Sequence, residues 1–104
     1  MIGVFLTFRY TDKFEPELIR HIAESARQTF EGRAGLHSKA FTLNLAKREA
    51  VNFYIWESEA ASQAMFNEKM MERVTALYGV RPTVDVVEIP VLVDNAAPDR
   101  GRVT

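Results

Sequence analysis

The sequence predicts an α+β domain of the ferredoxin-like kind, a four-stranded antiparallel sheet with two helices on one face. Three observations carry this. Alternating strand patterns and helical patterns follow one another in the order βαββαβ. The chain has 104 residues, enough for one compact domain. Right-handed crossovers then place both helices on the same face of the sheet.

The first strand is Ile2 to Arg9, with Ile2, Val4, Leu6 and Phe8 on one face and Phe5, Thr7 and Arg9 on the other. Pro16 opens the first helix, where its missing N–H costs nothing. Leu18, Ile19, Ile22, Ala23, Ala26 and Phe30 recur at helical spacing, and Gly32 and Gly35 end the run. "LHSKAFTLNL", Leu36 to Leu45, reads as the second strand, with His37, Lys39 and Phe41 on one face by strict alternation. "AKRE", Ala46 to Glu49, is the hairpin turn into a third strand, Ala50 to Glu57, and Asn44 shapes that turn. Ser58 caps a second helix that carries Ala61, Ala64, Met65, Met71 and Val74, is interrupted near Met70 or Met71, and stops at Gly79. The last strand runs from Thr83 to Val93, with Pro90 marking a bulge or an exposed edge. The domain is therefore expected over residues 1–95, with a loose tail or dimer arm over 96–104.

Composition narrows the function classes. Hydrophobic residues make up 47% of the chain and charged ones 26%, the balance of a soluble globular protein. The formal net charge is -1 with no clustered basic face, so nucleic acid is not an expected partner. Cysteine is absent, which removes disulfides, thiolate metal ligands and thiol nucleophiles. No carboxylate or histidine grouping has metal-ligand spacing, so no metal is expected. "MIGVFLTF" lacks a basic leader and is too short to span a bilayer, so the expected location is cytoplasmic, without membrane contact. Each strand carries apolar or aromatic groups on both faces, and the helices cover only one. A homodimer is expected, its two sheets closing into one α+β barrel.

The third strand holds the main functional signal. Val51, Phe53 and Ile55 share one face, while Asn52, Tyr54 and Trp56 share the other. Asparagine is disfavoured in strands and has a reason where it occurs. Two answers fit this polar-aromatic face. It is the floor of a pocket roofed by the helices, or it looks into the dimer barrel.

"NFYIWES", Asn52 to Ser58, resembles the Asn-aromatic-x-x-Trp-x-Ser pattern of the antibiotic-biosynthesis monooxygenase superfamily of dimeric α+β barrels. "GLHSKAFTLN", Gly35 to Asn44, is similar to the Gly-Leu/Ile-x-x-Lys-x-aromatic-x-x-Asn signature of its YdhR-like branch. The resemblance implies an oxygenase without metal, flavin or other cofactor. A phenolic substrate loses a proton, and its carbanion passes an electron directly to O₂. It also implies that Asn52 and Trp56 grip the substrate oxygen, with Tyr54 lining the pocket. His37 is a sensible general base for such a substrate, and Lys39 a partner for its phenolate. Met65 suits a pliable lining.

Quinone-forming members add a tyrosine from the second helix. Ser62 and Gln63 stand there instead, while Tyr78 and Arg73 or Arg81 are residues of the right type. Haem-degrading members need a histidine on that helix, and Phe66 occupies its place. The expected activity is thus a cofactor-independent monooxygenase acting on a small aromatic or polyketide-like compound with O₂. The alternatives are a non-catalytic binding module for small aromatic ligands and an isomerase or cyclase with His37 as base.

Overall fold

The computed structural model describes residues 1–95. The tail expected at 96–104 lies outside the described residues. The elements are β1 (Ile2–Arg9), α1 (Pro16–Phe30), β2 (Leu36–Asn44), β3 (Glu49–Trp56), α2 (Glu59–Met65), α3 (Glu68–Tyr78) and β4 (Thr83–Glu88). The strands form one four-stranded sheet in the order β2-β3-β1-β4. All three pairings are antiparallel. This is the expected ferredoxin-like α+β sandwich.

Alternation in β1 and β3 divides the sheet as the sequence implies. Val4 pairs with Tyr54, Leu6 with Asn52 and Phe8 with Ala50. These residues are buried under the helices together with Ile19, Met70, Met71 and Tyr78. Phe5 and Phe53 stack at 4.5 Å on the opposite face. Gly3 pairs with Ile55 on that second face, where a Cβ would meet Val87 Cγ2 at 2.9 Å and Phe53 Cε1 at 3.1 Å. The missing side chain lets these apolar groups close over β1.

Three local readings differ from expectation. The single second helix is two, because Asn67 caps a new start by accepting from the Met70 N–H at 2.9 Å. The break therefore falls at Phe66 and Asn67, ahead of Met70. β4 ends at Glu88; the Ile89 N–H still reaches Met1 O at 3.0 Å, but Pro90 has no N–H to continue a ladder. Finally, β2 carries an irregularity between Leu36 and Ser38, where Leu36 faces Trp56 and Ser38 faces Ile55. His37 is the extra residue of that bulge. It does not share the face of Lys39, which pairs with Tyr54, and Phe41, which pairs with Asn52. Strict alternation fails there because one inserted residue shifts parity.

At the β2–β3 turn, Asn44 Oδ1 accepts from the Lys47 N–H at 3.0 Å, the shaping role expected of it. Among the described residues, no helix is long and apolar enough to cross a membrane.

Candidate functional site

The helix-facing side of β3 presents Asn52 and Tyr54 to a cavity of about 370 Å³ between the sheet and the helices. Such a volume suits a small organic ligand. Lys39 and Phe41 from β2, Met65 from α2 and Tyr78 from α3 complete the lining around them. Of the two answers left open by alternation, the pocket beneath the helices is the one observed.

Asn52 and Tyr78 are 26 residues apart in sequence, yet Asn52 Nδ2 donates to Tyr78 Oη at 3.2 Å. Tyr78 is held firmly. Its ring stacks on Phe8 at 3.9 Å and 11°. Its backbone carbonyl accepts from the Tyr10 hydroxyl at 2.8 Å. Gly79 follows at φ 84°, the left-handed cap that ends α3 there. Burial pushes the Tyr78 hydroxyl above its usual pKa, against the opposing pull of the Asn52 amide. Burial pushes Tyr54 up as well, with Tyr78 adding to it. Both phenols therefore stay protonated at neutral pH. Because Tyr78 Oη accepts from Asn52, its own O–H is left to donate. The floor thus offers a neutral amide and a neutral phenol beside each other.

Trp56 occupies a different place. It is buried and its Nε1 has no partner among the described residues, but it does not line the cavity. Tyr54 stands between it and Asn52, its ring stacked near that of Trp56 at 6.1 Å. Four residues of strand also put Asn52 and Trp56 roughly 13 Å apart along β3. The structure brings Asn52 to Tyr78 and separates it from Trp56.

Lys39 reaches into the cavity, and its Nζ lies 3.3 Å from the Phe30 ring centroid, 4.1 Å from that of Phe41 and 4.3 Å from that of Tyr54. His37 lies outside, beside a second hollow, with Nδ1 3.2 Å from Ser38 Oγ and Nε2 3.7 Å from Asp94 Oδ2. Of the arginines, Arg73 lines the cavity, whereas Arg81 is paired with Glu68 at 3.0 Å. Ser62 and Gln63 bond to Glu59 and do not line it. Phe30 is the lining residue that helical spacing hides, since periodicity marks it only as core. Among the described residues, no group of His, Asp or Glu gathers into a metal-binding cluster.

The ferredoxin-like sandwich is shared by solved structures. The chain is similar to a monooxygenase from the gene ActVA-Orf6 of Streptomyces coelicolor, solved with nanaomycin D, with TM-score 0.64, 18% identity, and 88% of this chain and 89% of that one covered. It is similar to SnoaB, a cofactor-independent oxygenase from Streptomyces nogalater, with TM-score 0.61, 14% identity and coverage of 88% and 95%. A protein of unknown function from Nitrosomonas europaea matches at TM-score 0.67 and 17% identity over 92% and 95%. No family model matches the sequence, and no curated protein does. The chain has the fold of the antibiotic-biosynthesis monooxygenases.

Proposed function

We propose that this protein is a cofactor-independent monooxygenase that oxidises a small aromatic or polyketide-like phenol with O₂. The observation that carries the reading is the donor pair Asn52–Tyr78, buried at the floor of an aromatic cavity. Preorganised neutral donors in a dry site stabilise the oxygen of a phenol as its O–H proton leaves and the charge spreads onto the conjugated ring carbon. The electron-rich carbanion then reduces O₂. One oxygen atom enters the substrate as a carbonyl and the other leaves as water, with a ring CH₂ supplying the electrons and hydrogens. In this reading Asn52 and Tyr78 hold the substrate oxygen, and Tyr54, Phe41 and Met65 form the apolar walls. Trp56 supports Tyr54 from behind.

A homodimer is part of the proposal. Every residue of β4 is exposed, including Val84, Val86 and Val87, and the stacked Phe5–Phe53 pair lies on the face without helices. A second sheet would cover these groups.

The test is oxygen consumption with anthrone- and hydroquinone-like phenols, followed by product analysis. Uptake matched to quinone formation supports the reading. Tight binding of these phenols with no uptake would instead favour the binding-module alternative. An isomerase or cyclase using His37 as base has less support, because His37 stands outside the cavity.

A further inference from the structure

Neutral donors stabilise a phenolate but cannot remove the proton that makes it, and the reading above leaves that proton without an acceptor. Tyr54 and Tyr78 are held protonated by burial, and an amide is no base. Lys39 is different. Its amine stands against three ring faces, Phe30 from α1, Phe41 from β2 and Tyr54 from β3. Ring faces attract a cation, but they offer no lone pairs to replace the water a lysine ammonium loses on burial. Among the described residues no carboxylate or carbonyl pairs with Lys39, and the cavity lining includes no Asp or Glu. The charged groups that line it are all cationic: Arg33 beyond α1, and Lys69 and Arg73 on α3, while α2 contributes only Ala64 and Met65. On its other side Lys39 borders the second hollow with Arg20, Glu24, Arg27 and Glu31 of the α1 side and His37 of β2, and Glu24 is there engaged by Arg27 at 3.1 Å. Burial first, and the Arg33 charge second, bring the Lys39 amine down to about 7. At neutral pH a large share of it carries a free lone pair.

We infer that Lys39 is the base of this cavity: it accepts the proton of a bound phenol and stays beside the phenolate as its counter-ion. The inference rests on reading the cavity as a phenol site. The step balances by itself. The phenol O–H bond breaks, its electron pair remains on oxygen, and the amine lone pair forms the new N–H bond. The ammonium produced then has what the empty cage lacks, an anion among the three rings.

Umbelliferone tests this, being a planar phenol whose neutral and ionised forms absorb at different wavelengths. Near neutral pH the parent protein should bind it largely in the ionised form. Lys39→Met and Lys39→Gln, checked for parental circular dichroism and melting, should bind it neutral, shifting the ionisation of the bound dye by about tenfold or more. Lys39→Arg separates a base from a mere counter-ion, because arginine is a permanent cation that cannot accept the proton. In weakly buffered solution its ionised complex should release the phenol proton to solvent, while the parent retains most of it. Absence of binding to the parent, binding without ionisation, ionisation undiminished in Lys39→Met, or equal proton release by parent and Lys39→Arg would each overturn the assignment. No oxygen is consumed in this readout. Ionisation without oxidation would keep the base and remove the monooxygenase, and oxidation without ionisation would do the reverse.

Discussion

At Asn52 the sheet buries a side-chain amide among aromatic rings, and the hydroxyl of Tyr78 is its partner. Asn52→Ala should lower turnover of an oxidised phenol by about 10²–10³-fold, the scale for losing a fully engaged donor to a developing oxyanion. Tyr78→Phe removes the second donor while keeping the stack on Phe8, so folding should be retained and turnover reduced. The double variant should lose less than the product of the single losses, since both donors serve one charge. Trp56→Phe should leave turnover near the parental value, because the indole N–H lies outside the cavity. Steady-state rates, with melting temperatures as a control on folding, check all four. That Asn52, Tyr54, Lys39 and Met65 line one cavity is legible in the sequence, because period-two patterns and helical spacing report which face a side chain takes. The Asn52–Tyr78 pairing is not, since nothing local links a strand residue to a helix terminus 26 positions on. His37 was misplaced for one reason, a bulge that alternation does not announce.

Among the elements, the turn from α1 into β2 sets the packing of α2 against the sheet. Gly35 has φ 80°, and a Cβ there would sit 2.7 Å from Ala61 Cβ, while its carbonyl accepts from the Glu57 N–H at 2.9 Å. Gly79 has φ 84° with open space where its Cβ would go. Both Gly→Ala changes incur the cost of a left-handed backbone, about 1–2 kcal/mol. Only Gly35→Ala adds a clash with a neighbouring helix, so it should destabilise more than Gly79→Ala. Ala61→Gly should recover part of the difference when combined with Gly35→Ala. Urea unfolding of the three variants provides the comparison. The order of elements was readable because each strand and helix carries its own period. The split of the second helix was harder to read, because Asn67 is a strong cap inside a run that otherwise keeps helical spacing.

For the whole molecule, the exposed valines of β4 and the face holding Phe5 and Phe53 make assembly the first expectation to measure. Light scattering at micromolar concentration should return about twice the 11.8 kDa chain mass; a well-behaved monomer would remove the barrel. The stability of the fold should also carry a signature of Lys39. Its amine ionises near 7 when folded and near 10.5 when unfolded, so between those values the unfolded chain binds more protons. Stability should therefore rise with pH across that window. Lys39→Met removes the contribution, so its melting temperature should gain most over the parent below pH 7 and lose that gain by pH 10.5. Tyr10 acts in the opposite sense: burial raises its hydroxyl from 10.0 to about 12, so its contribution is intact below 10 and fades as pH climbs through 12. The sole tryptophan of the chain lies at the centre of all this, buried, stacked near Tyr54, and one ring removed from the cavity. Its fluorescence is a built-in gauge. Emission should be blue-shifted in the folded protein, move red on unfolding, and dim when an electron-poor quinone fills the cavity, so occupancy is readable by light without any label.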